Sequence, residues 1–124
     1  MVKHIVVIIE DDEAVRSSLQ LLAEALGWHA YAFASGPACL DAVRDGLHPD
    51  CFLLDLNMPE MTGPEVQQIL ARVLDGVPVI AMTAEPQSPL VQRMLHLGAR
   101  DVLHKPFDID ELELALERSV SRVH

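Results

Sequence analysis

Glu10, Asp11 and Asp12 stand directly after an apolar run, Ile5-Val6-Val7-Ile8-Ile9, and Asp55 stands directly after another, Cys51-Phe52-Leu53-Leu54. A short apolar run closed by a carboxylate reads as a buried strand that delivers charge to one edge of a sheet. Two such strands side by side gather acids in one cleft. Charges placed there repel one another and are costly to strip of water. A divalent cation among them offsets both effects, so the pattern points to a hard metal ion beside a reactive aspartate. Magnesium takes oxygen ligands in near-octahedral geometry and keeps several waters, and Asp11 and Asp55 can each supply an oxygen. A carboxylate can also attack phosphorus and form an acyl phosphate. The charge on a phosphoryl group in transit must be neutralised by metal, lysine and hydrogen-bond donors. Lys105 and Thr83 are of the right types.

The surrounding pattern supplies elements to position these groups. Five apolar strand candidates alternate with five helical stretches. The strands are expected at about 4–9, 28–33, 50–54, 77–82 and 101–104. The first helix is expected from Asp12 to Leu26, with Val15, Leu19, Leu22 and Leu26 on one stripe and Asp12 as its cap. Gly27, Gly46 and Gly98 stop three of the helices. Ser35 opens the second helix, Pro64 begins the third, and Ser88-Pro89 opens the fourth. Asp108 with Glu111 forms a box-like start for the last helix, whose stripe is Ile109, Leu112, Leu116, Val120 and Val123. Alternation of this kind means an α/β fold, a (βα)5 doubly wound parallel sheet with helices on both faces. In such sheets ligands sit beyond the carboxyl ends of the strands. Glu10, Asp11, Asp12, Asp55, Thr83 and Lys105 all fall there.

The bulk properties agree. A length of 124 residues, half of them hydrophobic, fits one domain over residues 1–124 with a substantial core. A formal net charge of -10 argues against direct nucleic-acid binding and against an anionic membrane surface. No apolar stretch approaches the ~20 residues that span a bilayer. The N-terminus runs from Met1-Val2-Lys3-His4 into a strand without the features of a signal peptide. Cys39 and Cys51 have no metal-like spacing, so a reduced, cytoplasmic setting is expected. The six histidines, at 4, 29, 48, 96, 104 and 124, show no ligand spacing.

Taken in order, Glu10-Asp11, the run Asp55-x-x-Met58-Pro59-x-x-x-Gly63, Thr83-Ala84, Gly98-Ala99 and Lys105-Pro106-Phe107 resemble a response-regulator receiver domain of bacterial two-component signalling. The resemblance covers essentially the whole chain. It implies a flavodoxin-like five-stranded sheet with strand order 2-1-3-4-5. It implies that Asp55 is the phosphoacceptor for a sensor histidine kinase or phosphotransfer protein. Mg2+ (or Mn2+) would be held by Asp11 and Asp55 directly, by Glu10 through water, and by the backbone carbonyl of Asn57. Lys105 would contact the phosphoryl group and Thr83 would move to report it, and the Lys105–Pro106 bond would be cis. A single-domain regulator and the receiver piece of a longer protein both remain open.

The pattern departs from the family at one position. Receiver domains usually carry an aromatic where this chain has Val102, after the Gly98-Ala99 pair and just before the Lys105 segment. Valine has no ring to swing and is stiff at χ1, so an activation shift is expected to rely on Thr83 and the loop after it. Asn57 and Glu85 occupy positions that in the family influence hydrolysis of the acyl phosphate. Polar groups there can orient water, which implies a short-lived phosphoryl state. On the fourth helix, Val91, Met94 and Leu95 are expected to face the sheet, with Leu90 and Leu97 on the flank. A weak homodimer through the fourth and fifth helices is the corresponding expectation.

Other classes fit less well. A phosphatase of the haloacid-dehalogenase type needs a second aspartate two places after the first as general acid. Asn57 stands there and cannot shuttle a proton. A degenerate receiver that only binds proteins has no need of Asp11, Asp55 and Lys105 together. A flavin site lacks support, because Trp28 and Tyr31 both lie in the second strand and no Ser/Thr-rich loop follows the first. The chain thus reads as a switch that handles a phosphoryl group on itself, and not as an enzyme that turns over a metabolite.

Overall fold

A computed structural model describes residues 3–121. Strands and helices alternate as β1 (Ile5–Ile9), α1 (Glu13–Ala25), β2 (His29–Phe33), α2 (Gly36–Arg44), β3 (Cys51–Asp55), α3 (Gly63–Val73), β4 (Val79–Thr83), α4 (Pro89–His96), β5 (Asp101–His104) and α5 (Ile109–Val120). The strands form one parallel sheet in the order β2-β1-β3-β4-β5. This is the expected flavodoxin-like arrangement. Met1, Val2, Arg122, Val123 and His124 lie outside the described residues.

The helix starts are set by side chains that accept the first free N–H groups. Asp12 accepts from the Val15 N–H at 3.0 Å, Ser35 from Ala38 at 3.3 Å and Ser88 from Leu90 at 3.2 Å. Asp108 accepts from the Glu111 N–H at 2.9 Å, and Glu111 accepts from the Asp108 N–H at 3.2 Å, closing the reciprocal box. Helix α3 begins one residue earlier than expected, at Gly63. There Glu65 turns back and accepts from both the Thr62 N–H at 3.2 Å and the Thr62 hydroxyl at 3.0 Å. Gly27 and Gly98 end α1 and α4 at φ 91° and 101°, a backbone conformation that residues with a side chain rarely adopt.

Two apolar layers cover the sheet. Val7, Ile9, Phe52, Leu54 and Ala81 point toward α2, α3 and α4. Val6, Ile8, Cys51, Leu53, Ile80 and Met82 point toward α1 and α5. The central strands are buried on both faces, which is why they read as unbroken apolar runs. Burial pushes the thiols of Cys39 and Cys51 up to about 12.

Two helix faces differ from expectation. Leu95 does not face the sheet; it is 42% exposed, while Val91 and Met94 are buried. On a helix the facing set 91, 94 continues to 98, and position 95 lies a further 100° or so around the axis. Ile109 likewise leaves the α5 stripe, at 39% exposed. Leu112, Ala115, Leu116 and Ser119 form the buried face instead. Ser119 satisfies its hydroxyl by donating to the Leu116 carbonyl at 2.6 Å.

Candidate functional site

The sheet order reverses between β1 and its two neighbours, so helices leave opposite faces there and open a crevice at the carboxyl ends of β1 and β3. Glu10 is the first residue past β1, and its N–H donates to the Phe33 carbonyl at 3.0 Å. Asp55 is the last residue of β3, one place further into the strand than the sequence pattern indicates, paired in register with Met82. Both are buried, Glu10 at 1% and Asp55 at 6% exposure, whereas Asp11 is exposed at the rim. One carboxylate oxygen from each of Glu10, Asp11 and Asp55 lies within 4.8 Å of the other two. Asp12 points elsewhere, to the start of α1.

Lys105 follows β5 and reaches across the crevice. Its Nζ donates to Asp55 Oδ1 at 3.1 Å and to Glu10 Oε1. The reach depends on the strand ends: the Lys105 N–H donates to the Thr83 carbonyl at 2.7 Å, which fixes where the side chain sets out. The Lys105–Pro106 bond is cis, as expected. Burial acts to lower the Lys105 ammonium's pKa. The hydrogen bond to Glu10 and the charge of Asp55 outweigh that, and the net direction is upward. Burial pushes the Asp55 carboxyl up to about 6, with the Glu10 charge adding to the rise and Lys105 opposing it. One ammonium thus serves two buried carboxylates, and a third carboxylate stands within reach of both.

The donor set suits a hard cation. Three carboxylates offer oxygen ligands only, with no sulfur or imidazole among them. Their 4.8 Å spread is slightly wider than the ~4.2 Å that spans an octahedron of 2.1 Å bonds, so modest side-chain rotation closes it. Gly63 keeps the β3–α3 loop folded back over this edge. Its N–H donates to the Leu56 carbonyl at 2.9 Å. A Cβ there would sit 3.0 Å from the Asp55 carbonyl oxygen and 3.0 Å from Met94 Sδ, tight enough that a neighbour would have to give way by a few tenths of an ångström.

The remaining expected positions are arranged around this centre. Thr83 is buried at the end of β4, and its Oγ1 accepts from the Glu85 N–H at 2.8 Å. The hydroxyl is thereby tied to the β4–α4 loop. Asn57 and Glu85 are both exposed in loops at this edge. Val102 is half-buried on β5, opposite Ala81. One participant was not singled out in the sequence: Arg16, whose Nη1 donates to the backbone carbonyls of Glu10 at 2.9 Å and Asp11 at 3.3 Å. The only trace of it is an arginine four places after the capping Asp12, one helical turn on.

Known proteins share this fold and family. The family model described as the response regulator receiver domain matches residues 6–117. The transcriptional regulatory protein FixJ of Bradyrhizobium diazoefficiens is 34% identical over 113 residues, which cover 91% of this chain and 55% of FixJ. The sporulation initiation phosphotransferase F of Bacillus subtilis is 31% identical over 118 residues, covering 95% of this chain and 94% of that protein. Among solved structures, the receiver domain of a sensor histidine kinase from Pseudomonas aeruginosa, with magnesium coordinated in its active-site cleft, superposes at a TM-score of 0.86. It is 24% identical, covers 96% of this chain and 98% of that one, and shares the fold. The chain spans only 25% to 55% of the first curated relatives it matches. By the match to the family model and the likeness to phosphotransferase F along nearly its full length, this chain belongs to the response regulator receiver domain family.

Proposed function

We propose that the chain, taken as one receiver domain over residues 1–124, is a phosphorylation-driven switch with Asp55 as its phosphoacceptor. The observation that carries this reading is the shared lysine: Lys105 Nζ bonds both Asp55 and Glu10 while Asp11 stands within 4.8 Å of both carboxylates. Glu10, Asp11, Asp55 and the Asn57 carbonyl would hold Mg2+ (or Mn2+), with Glu10 acting through water. Bound there, the ion supplies charge neutralisation for the phosphoryl oxygens and orients them.

The chain's own residues do the rest. An Asp55 carboxylate oxygen attacks the phosphorus of a phosphohistidine. A new P–O bond forms as the P–N bond breaks, and the imidazole leaves with the bonding electron pair. Lys105 is placed to pass from Glu10 to a phosphoryl oxygen, so its charge follows the charge it must balance. Thr83 has a hydroxyl that can exchange the Glu85 N–H for the phosphoryl group, and in doing so it pulls on the β4–α4 loop. With Val102 in place of a ring, this loop is the route by which the state of Asp55 reaches the outer surface. Asn57 and Glu85, exposed beside the site, orient water for the return hydrolysis.

The partners that follow are a sensor histidine kinase or a phosphotransfer protein, in a cytoplasmic setting. Among the described residues no helix is long and apolar enough to cross a membrane. The net charge of -10 makes direct nucleic-acid binding by this domain unfavourable. A weak homodimer through α4 and α5 would cover Leu95 and Leu114, which are 42% and 47% exposed. Sedimentation showing a monomer with and without phosphoryl donor would remove the dimer from the proposal.

The deciding experiment is phosphoryl incorporation from a small donor such as acetyl phosphate. Incorporation is expected with Mg2+, to be absent in EDTA, and to be absent in Asp55→Asn. Equal incorporation by Asp55→Asn would overturn the reading.

A further inference from the structure

We propose that Arg16 is a positioning residue for the cation site, holding the backbone from which two of its carboxylates project. This rests on the reading of Glu10, Asp11 and Asp55 as that site. Arg16 lies half-buried in the first turns of α1. Its Nη1 donates to the Glu10 carbonyl at 2.9 Å and to the Asp11 carbonyl at 3.3 Å. A guanidinium Nη carries two hydrogens, so one nitrogen serves both carbonyls at once. Both contacts are to main chain, so Arg16 occupies no carboxylate oxygen of Glu10 or Asp11.

The contacts form part of a closed local frame. The Asp12 N–H donates to Glu10 Oε2 at 3.2 Å, and the Arg16 N–H donates to the Asp12 carbonyl at 2.8 Å. Glu10 is also tied to β2 through Phe33. Asp11 is the exposed member of the three acids, so it has the most freedom to lose when an ion binds. Fixing its carbonyl beforehand removes part of that entropic cost, in the way outer groups orient direct metal ligands.

Charge alone argues the other way. A guanidinium near a divalent cation repels it, so an electrostatic role would make Arg16 an opponent of the metal. The two roles therefore carry opposite signs, and substitution separates them. Lysine keeps the charge but offers a compact ammonium in place of the planar fork. Methionine keeps much of the stem and removes charge and donors.

The test is Mg2+ titration of the full chain by calorimetry, for wild type, Arg16→Lys and Arg16→Met. Alongside it, the Mg2+ dependence of phosphoryl incorporation and the melting temperature in EDTA are measured. Arg16→Lys should bind Mg2+ about tenfold more weakly, and Arg16→Met also more weakly than wild type but by less, because it sheds the repelling charge; both should melt in EDTA within about 5 °C of wild type. The Mg2+ concentration for half-maximal incorporation should rise by the corresponding factor, with the plateau rate restored at saturation. A purely structural loss would lower the plateau and leave the half-saturation point alone, and that result counts against the proposal. Wild-type affinity in both variants overturns it while leaving the site reading intact. Tighter binding by Arg16→Met overturns it as well, since the guanidinium would then act only by repulsion. Should Arg16→Met fail to fold, Arg16→Lys decides alone. No saturable Mg2+ binding by wild type is a different failure, that of the site itself.

Discussion

Asp50 and Asp55 bracket the same strand and meet opposite fates. Asp50 sits just before β3 in water, where it accepts from the Ile5 N–H at 2.7 Å and lies 3.7 Å from His4 Nδ1. It ties β1 to β3 at their amino ends and keeps its hydration. Asp55 sits at the other end, 6% exposed, facing Glu10 and Lys105. Burial raises its carboxyl to about 6. The difference is one of surroundings: an exposed acid satisfied by one N–H stabilises the fold locally, whereas a buried acid beside another acid carries a desolvation and repulsion cost that its lysine partner offsets only in part.

The comparison breaks most sharply in phosphoryl capture. Asp55→Asn should abolish incorporation. Asp50→Asn should leave the rate within about twofold, because a side-chain amide oxygen at that position can still accept from the Ile5 N–H. Loss of incorporation in Asp50→Asn, measured at a temperature where it is folded, would erase the contrast.

The next effect lies in Lys105. Lys105→Met removes the cation shared by two buried carboxylates, so unfolding in EDTA should show a loss of about 2 kcal/mol. That is below the range for a fully buried pair, because this lysine side chain is 22% exposed. Mg2+ should recover a larger share of stability in this variant than in wild type. Equal responses to Mg2+ would mean that the lysine does not neutralise the cluster.

Asp55 should also leave a mark on stability against pH. Its folded value of about 6 lies above the ordinary 3.8, so between these values the folded chain holds a proton that the unfolded chain has released. Stability in EDTA should fall as pH rises through this window and stay lower above it. Asp55→Asn should flatten that segment and gain about 1–3 kcal/mol at neutral pH. Denaturant unfolding at pH 4, 5, 6 and 7 measures it, and parallel curves for the two proteins would contradict the shift. The smallest effect is at the other end: Asp50→Ala should cost about 1 kcal/mol through the lost acceptor, with no change in the response to Mg2+.

Much of this was legible in the sequence, for reasons that can be named. The caps at Asp12, Ser35, Ser88 and Asp108 were readable because each is a local contact over two or three residues. The central strands were readable because burial on both faces leaves no polar residue before their carboxyl ends. The facing of α4 was not, since a helix of eight residues has too few turns to separate position 94 from 95 by period alone. Thr62 and Glu65 were missed at the start of α3 because Pro64 offered a more obvious first turn. At the site, residue types and their places past each strand marked Glu10, Asp11, Asp55 and Lys105. That one ammonium bridges two carboxylates depends on contacts 50 and 95 residues apart, which only the folded sheet reveals. Arg16 was hidden for another reason: its partners are backbone carbonyls, which leave no mark in residue type.

The central claim is that one carboxylate in a cleft of three captures phosphorus. Reductive trapping tests it directly. After reaction with acetyl phosphate and Mg2+, borohydride converts an aspartyl phosphate to homoserine, and peptide mass spectrometry reads its position. Homoserine at position 55, dependent on Mg2+ and absent in EDTA, is the expected result; homoserine at position 11 instead, or none at 55, would contradict it.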